Sequence, residues 1–213
     1  MDDQKLAKIN LDTSENDKLI LSSIDKFLEK DVKPYVKEFE SEDKYPQDIA
    51  DKMAELGLFG ATISEDYGGL GLSAVTYSKI VENVSSVWMS VSGIFNSHLI
   101  MCAAVEKFGT DEMKNFYLPK FATGELRGGI ALTEPDCGTD LQSIKTKATK
   151  DNTKYKINGT KTWITNSVQG DVLAVLVKTN NEISPPHKGE ISLFVLTNTC
   201  LLYTSDAADD RCC

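Results

Sequence analysis

Apolar residues in the first half of the chain recur at the spacing of helices. Between Ser14 and Phe39 they lie three or four positions apart, so they share one face of an amphipathic helix that Ser14 or Asn16 can cap. The apolar positions on this face are Leu19, Ile20, Ile24, Phe27, Leu28 and Val32.

Proline and glycine predict where the helices begin and end. Pro34 is expected to kink the first helix or to start another, because proline lacks an amide donor and disfavours helix at the residue before it. Pro46 opens a further helix that Gly57 closes. Gly109 ends one helix and Thr110 caps the next. Four to six helices are therefore predicted in residues 1–125.

After Gly124 the apolar period becomes that of strands. The segments LRGGIALTE, KTKATK, KYKI, TKTWIT, DVLAVLVK and ISLFVL are rich in Val, Ile and Thr and are separated by turn residues. This is typical of an antiparallel sheet or barrel, and Asn158 with Gly159 forms the clearest hairpin signal. The pattern predicts an α+β protein, with an N-terminal all-α helical domain (1–125) followed by a small antiparallel β-barrel-like domain (126–199).

Composition and charge exclude several classes of function. The 213 residues carry a formal net charge of -9, which argues against nucleic acid as a partner because binding its backbone needs clustered Lys and Arg. No run of about 18 apolar residues exists and no secretory or transit pattern opens the chain, so membrane insertion is not expected. The five cysteines form no CxxC pair, which favours a reducing compartment such as the cytoplasm.

The stretch ALTEPDCGTD, from Ala131 to Asp140, concentrates hydroxyls, carboxylates and turn residues directly after a predicted strand. Such a loop can hold a phosphate or a heteroaromatic ring with its exposed amides and hydroxyls. It can also be a turn whose side chains bond only their own backbone, and spacing alone favours that second interpretation.

Longer motifs carry a family resemblance. ALTEPDCGTD, followed by LQSIKTKATKD and YKINGTKTWITNS, closely resembles the acyl-CoA dehydrogenase family of flavoproteins. YGGLGLS, HLI and FGTDEMKNFYLPKFATGEL agree with the same family in the same order, and the resemblance extends from about Asp17 to Thr199.

The resemblance implies an FAD site built from two segments. Thr133 is expected to hydrogen-bond the pyrimidine side of the flavin ring, Thr139 to contact the acyl-CoA, and Trp163 and Thr165 to lie beside the ring. The residues expected to bind the cofactor are Ile130, Ala131, Leu132, Thr133, Glu134, Thr139, Trp163, Ile164 and Thr165. The residues alone leave open a different interpretation, in which Trp163 is buried in a barrel core and Thr165 lies in a strand ladder.

The resemblance also implies a reaction. Family members remove the α proton and β hydride of an acyl-CoA thioester to give a trans-2-enoyl-CoA, and they pass the electrons to an electron-transferring flavoprotein. The full-length enzyme of which this chain is expected to be a part, the parent enzyme, is expected to be a homo-oligomer, either dimeric or tetrameric. In a eukaryote it is expected to lie in the mitochondrial matrix. The catalytic glutamate is expected beyond this chain, in a C-terminal helical domain, and Glu134 is implied to be a supporting residue. Alternatives are an acyl-CoA oxidase or flavin monooxygenase on the same scaffold, or a non-catalytic protein that binds partners.

Five further expectations concern the end of the chain, its two histidines, metal ligands and a set of lysines. CLLYTSDAADDRCC, residues 200–213, is expected to be a non-native tail on a truncated chain that purifies nearly colourless and inactive. His98 is expected to pack between helices and His187 to lie in a solvent loop. No metal ligands are predicted. A set of alternating lysines is expected on the surface: Lys145, Lys147, Lys150, Lys154, Lys156 and Lys161.

Overall fold

The structure, a computed structural model, describes residues 14–179 and 190–197. His187 and the tail from Cys200 to Cys213 lie outside the described residues, so the expectations for them stay predictions. Within the described ranges, no helix has the length and apolar character needed to cross a bilayer.

The described part of the helical region contains six α-helices. They are α1 (Glu15–Phe27), α2 (Val36–Glu42), α3 (Gln47–Glu55), α4 (Ala74–Val87), α5 (Met89–Phe108) and α6 (Asp111–Thr123). A π-helical turn at Leu28–Val32 continues α1, and short 3₁₀ turns lie at Leu58–Gly60, Glu65–Tyr67 and Leu141–Ser143.

The predicted helix signals act where they were expected. Ser14 caps α1 in a reciprocal capping box with Asp17, and Thr110 caps α6 by accepting from the amide of Met113. Pro46 directly precedes α3, and beyond the end of that helix Gly57 adopts a left-handed φ of 75°. Because these signals are local, the ends of α1, α3 and α6 could be predicted from the sequence.

The core of the helical region is built around α5, which is apolar on most of its circumference. Phe95 and Met101 of α5 are fully buried, together with Phe59 and with Phe121 of α6. The same core reaches Val172 and Ala174 in the sheet, so α5 lies directly between the helices and the strands. This placement sets the position of the first strand.

Five strands form one sheet in the described part of the chain. They are β1 (Gly128–Ala131), β2 (Lys147–Asp151), β3 (Lys154–Asn158), β4 (Val172–Lys178) and β5 (Ile191–Thr197). β5 pairs antiparallel with the whole of β4. On the other edge, β1 pairs with Val172–Val175 and β2 meets β4 only at Lys178, while β3 pairs antiparallel with β2.

The α+β class, with helices followed by a small sheet, is confirmed, but its strand pairing differs from the expectation. β1 follows α6 in the chain, contacts α5, and pairs parallel with β4. About forty residues separate the two strands, which is enough chain for the crossover that a parallel pair requires. The sheet is therefore mixed and not antiparallel throughout.

The hairpin prediction at Asn158 and Gly159 was wrong. The β2–β3 turn lies at Asn152 and Thr153, with Asn152 at a left-handed φ of 55°, and Asn158 is still paired with Lys147. Glycine is needed at position 159 for a different reason, since a Cβ there would lie 2.2 Å from Oγ1 of Thr146. The predicted TKTWIT strand is likewise a loop in the structure.

Candidate functional site

The TEPDC stretch forms a tight turn at the end of β1. The amide of Glu134 donates to the carbonyl of Cys137 over 2.9 Å, and the amide of Cys137 donates back to the carbonyl of Glu134 over 3.1 Å. The chain then returns to the same edge of β4, where the amide of Lys178 donates to the carbonyl of Thr146. The loop from 132 to 146 thus leaves the sheet beside Val175 and rejoins it beside Lys178, three residues further along β4.

Glu134 lies at the base of this loop and is buried. Its carboxylate accepts hydrogen bonds from the amides of Lys145 (2.5 Å) and Thr146 (3.0 Å) and forms an ion pair with Lys161 at 2.9 Å. Burial by itself raises the pKa of this carboxyl, but the Lys161 ammonium and the two amides outweigh it and lower the pKa of Glu134 to about 2. Glu134 is therefore ionised throughout the physiological range.

Lys161 was expected on the surface, and that expectation was wrong. The other five lysines of the set are exposed, whereas only 10% of the Lys161 side chain is accessible. Its ammonium donates to the carbonyl of Leu132 over 2.8 Å and to Glu134. A buried ammonium is tolerated only when it is paired and hydrogen-bonded, and both conditions are met here.

The two segments singled out by the sequence do lie side by side. The amide of Thr162 donates to the carbonyl of Thr133 over 3.0 Å. Ile164 packs with Ala131, Leu173 and Val175 in a small apolar cluster under the sheet. The expectation that the chain around Thr133 meets the chain around Trp163 is thus confirmed.

The segments around Thr133 and Trp163 together form one wall, and Trp163 is its most unusual residue. Its side chain is 69% exposed, and its φ of 59° lies in the left-handed region that β-favouring aromatic residues rarely adopt. The interpretation of Trp163 as a buried core residue of a barrel is therefore wrong. Large exposed aromatic surface held in a strained backbone conformation is typical of a residue that contacts a ligand.

Several polar groups beside Trp163 have no protein partner. Within residues 14–179 and 190–197, the amide and hydroxyl of Thr133 and the hydroxyl of Thr165 form no hydrogen bond. The hydroxyl of Thr162 is buried and, in the same ranges, also lacks a partner. Unpaired donors next to an exposed indole make a surface suited to a planar ligand with a polar edge.

The remaining predicted residues take two kinds of position. Ile130 and Leu132 are half-buried on either side of the buried Ala131. Thr139 is exposed on the outer part of the loop, where its carbonyl accepts from the amide of Leu141. Its expected contact with acyl-CoA stays a prediction.

The sequence interpretation missed Asn166. This side chain is only 4% exposed, and its amide group donates to the carbonyls of Ile94 in α5 (2.9 Å) and Gly128 in β1 (2.7 Å). Its φ of 64° is left-handed, a conformation that asparagine adopts more readily than most residues. Asn166 thus fixes the segment after Thr165 to both α5 and β1.

His98 is a packing residue, as predicted. Its ring is fully buried, with Nε2 3.2 Å from the carbonyl of Phe121 and Nδ1 accepting from the amide of Gly128 at 3.2 Å. Burial lowers the pKa of His98 to about 4, so the ring is neutral near pH 7. It joins α6 to β1 through α5.

The pKa of His98 predicts an acid-sensitive fold. A buried histidine with a lowered pKa contributes full stability above the unfolded-state value of 6.5, and that stability is lost as the pH falls toward about 4. We expect the free energy of unfolding to fall by about 3 kcal/mol over this window because of His98. Urea unfolding across pH 4–7 measures it.

The histidine content provides matched variants for this test. His98→Gln should flatten the pH dependence between 6.5 and 4, while His187→Gln, at the second of the two histidines, should leave it in place. A His98→Gln variant with the slope of the wild type would show that His98 is not the responsible group.

Comparison with known proteins matches the helical region and the sheet region to two domains of one family. Residues 14–125 match the family model "Acyl-CoA dehydrogenase, N-terminal domain", and residues 129–201 match "Acyl-CoA dehydrogenase, middle domain". A mitochondrial isobutyryl-CoA dehydrogenase of Dictyostelium discoideum is 34% identical over 173 residues, which covers 81% of this chain and 41% of that protein. A short-chain specific acyl-CoA dehydrogenase of Clostridium acetobutylicum is 34% identical, covering 76% and 43% respectively.

Solved structures agree in fold. An acyl-CoA dehydrogenase from Geobacillus kaustophilus superposes with a TM-score of 0.80 at 37% identity, covering 87% of this chain and 49% of that one. A chain from the structure of the electron transferring flavoprotein of Acidaminococcus fermentans gives 0.80 at 32% identity, with 87% and 48% covered. A glutaryl-CoA dehydrogenase from Mycobacterium smegmatis in complex with FADH2 gives 0.78 at 26% identity, with 87% and 46% covered.

The chain spans about two fifths of the length of these curated relatives and about half of the solved chains. The two matched ranges, 14–125 and 129–201, contain all six α-helices, the turn after β1 and the loop that carries Trp163. The chain belongs to the acyl-CoA dehydrogenase family.

Proposed function

We propose that this chain forms one wall of a flavin site in an enzyme that uses FAD to dehydrogenate acyl-CoA thioesters between the α and β carbons. The observation that carries the proposal is the direct contact between the Thr133 and Thr162 backbones, which brings the unpaired groups of Thr133 next to the exposed indole of Trp163. The FADH2 complex of a relative and the acyl-CoA substrates in the names of others support the choice of ligands.

The residues of the wall suit a flavin chemically. An isoalloxazine ring has a broad apolar face and an edge of carbonyls and ring nitrogens. The indole of Trp163 offers apolar area for the face, and the free amide and hydroxyl of Thr133 offer donors for the edge.

Each residue has a separate task in the proposed reaction. Bound FAD supplies the acceptor for the hydride that leaves the β carbon of the substrate. Thr133 would donate to the pyrimidine edge of the bound ring, and a donor already in place would stabilise negative charge there. Trp163 would cover the ring and exclude water, and the Thr165 hydroxyl would be available to hydrogen-bond the ring.

Glu134 is not the base that removes the α proton. A general base works best when its pKa is close to the operating pH, whereas the pKa of Glu134 is about 2. Its oxygens are also occupied by Lys161 and by two backbone amides. We therefore assign Glu134 a supporting role, and the described residues contribute binding and orientation to the reaction.

The wider setting of the reaction is part of the same proposal. The substrate is an acyl-CoA thioester, and the electron acceptor is an electron-transferring flavoprotein, in line with the similarity to a chain of such a structure. We further propose that the parent enzyme is a homo-oligomer of the cytoplasm or, in a eukaryote, of the mitochondrial matrix; the names of two relatives describe them as mitochondrial.

Titration of the full chain with FAD tests the proposal. One wall contacts only part of the ring, so we expect weak, saturable binding, followed by the change in flavin fluorescence so that every variant has the same readout. Trp163→Ala should weaken it about 10-fold, from the loss of one aromatic contact. Phe108→Ala, which removes a more exposed aromatic ring on α5, should leave the affinity unchanged. Equal affinities in the two variants would refute the proposed wall.

A further inference from the structure

The backbone on both sides of Thr133 is held by one lysine and its neighbour. Lys161 donates to the carbonyl of Leu132, the residue before Thr133, and to the carboxylate of Glu134, the residue after it. The amide of Thr162 donates to the carbonyl of Thr133 itself. Three consecutive residues of one segment are therefore bonded to two consecutive residues of the other.

This arrangement determines where the wall's free groups point. With the carbonyls of Leu132 and Thr133 both engaged by the 161–162 segment, the peptide planes around Thr133 cannot rotate without breaking a bond. The amide of Thr133, which is free within the described ranges, keeps one direction, and the Cα–Cβ bond that carries the hydroxyl is fixed with it. Trp163 follows Thr162 directly, so the backbone that carries the indole is held at a fixed separation from the Thr133 amide.

A buried ion pair adds little net stability to a fold, but it can restrict the groups that form it to one arrangement. Removing an ammonium and a carboxylate from water costs several kcal/mol per ion, and their attraction returns this only when the geometry and the remaining hydrogen bonds are good. Here the Glu134 and Lys161 side chains are 4% and 10% exposed, and the carboxylate has two further amide donors. The pair thus meets the conditions under which buried charges fix a single arrangement.

We propose that Lys161 is a positioning residue of this site, whose ammonium holds Leu132 and Glu134 so that Thr133 presents its amide and hydroxyl at a set distance from Trp163. The nature of the bound ring rests on the proposed function. The clamp formed by Lys161, Leu132 and Glu134 rests on the contacts alone.

Two methionine variants of the full chain provide the test. Lys161→Met keeps the apolar stem and removes the ammonium, and Lys156→Met makes the same change at an exposed lysine of β3. Loss of a charged hydrogen bond at a buried site corresponds to about a 10- to 100-fold change in an equilibrium. We expect Lys161→Met to speed hydrogen exchange of the Thr162 amide and to weaken FAD binding by that factor, with no change in Lys156→Met.

A double variant separates positioning from stability. Lys161→Met leaves the Glu134 carboxylate buried without its partner, so its melting temperature should fall. Glu134→Gln combined with Lys161→Met removes the stranded charge and should recover most of the melting temperature, while fast Thr162 exchange and weak FAD binding persist. If FAD binding recovers together with the melting temperature, the ion pair only stabilises the fold and the proposal is wrong.

The two readouts also separate this inference from the proposed function. A protected Thr162 amide in Lys161→Met would overturn the clamp, whatever happens to FAD. Fast Thr162 exchange in a chain that binds no FAD even as wild type would support the clamp and refute the flavin wall.

Discussion

Gly128→Ala is expected to destabilise the chain by about 3 kcal/mol or more. A Cβ at this position would lie 1.9 Å from the carbonyl oxygen of Val172 and 3.0 Å from Cε of Met101. Val172 is the residue that pairs with Gly128 in the parallel β1–β4 register. The clash is with backbone, so relief requires the two strands to separate.

The effect should also reach the site. The amide of Gly128 donates to His98, and its carbonyl accepts from Asn166, so displacement of β1 disturbs both contacts. Total stabilities of domains lie near 5–15 kcal/mol, and a loss of this size leaves a large unfolded fraction. Urea unfolding followed by circular dichroism measures the change, with FAD titration on the same samples.

Gly93 provides the control for this substitution. It lies inside α5, and apart from its chain neighbours and its own helix backbone, no heavy atom of residues 14–179 or 190–197 would lie within 4 Å of an added Cβ. Gly93→Ala should therefore stabilise the chain by about 0.5–1 kcal/mol, since alanine favours helix over glycine. If both variants unfold at the same urea concentration, close approach to Val172 is not what position 128 requires.

Features that depend on neighbours in the sequence could be predicted, whereas features that depend on distant atoms could not. The helices depend on local signals such as the Ser14 box, Pro46 and the Thr110 cap, and these are visible in the chain itself. Gly128 and Gly159 are determined by atoms of Val172 and Thr146, which lie far away in sequence or across a loop. The Asn158–Gly159 pair was interpreted as a turn because only its local preference was visible.

The candidate site divides in the same way. Its two segments were located from motif resemblance, and their contact through Thr133 and Thr162 agrees with that prediction. Lys161 could not be distinguished from Lys154 or Lys156, because all three lie in one lysine-rich stretch of the sequence. Only the carboxylate brought to it by the turn after β1 makes Lys161 a buried, paired group.

Asn166→Asp is the second substitution for which we expect a large effect, about 4 kcal/mol near pH 7. The amide nitrogen of Asn166 donates to two carbonyl oxygens, at 2.9 Å and 2.7 Å, in a site with 4% exposure. A carboxylate of the same shape would place a negative oxygen against those carbonyls. Two attractive contacts would become repulsive, in a region where burial already disfavours a charge.

The loss should depend on pH in the direction opposite to that of His98. Burial without a cationic partner raises the pKa of the introduced carboxyl above its unfolded value. Its penalty is therefore full above that raised pKa and declines as the pH falls and the neutral acid donates to one carbonyl. The difference in unfolding free energy between Asn166→Asp and wild type, measured from pH 8 to 4, should shrink, whereas the wild type itself becomes less stable.

Asn166→Gly separates the hydrogen bonds from the backbone conformation. Glycine adopts the left-handed φ of 64° without strain but donates nothing to Ile94 or Gly128. We expect it to lose about 2–3 kcal/mol, with no dependence on pH relative to wild type. An Asn166→Asp variant that matches it at every pH would mean that the new carboxyl has turned away from the two carbonyls.

The same pair of variants tests how the wall is attached. Asn166 lies just beyond Thr165 and is the side chain that ties this segment to both α5 and β1. If the wall is held from both ends, by Lys161 on one side of Trp163 and by Asn166 on the other, Asn166→Gly should speed exchange around Thr165 and leave the Thr162 amide protected. Loss of protection at both ends from either substitution would instead make residues 161–166 a single cooperative unit, folded or released together.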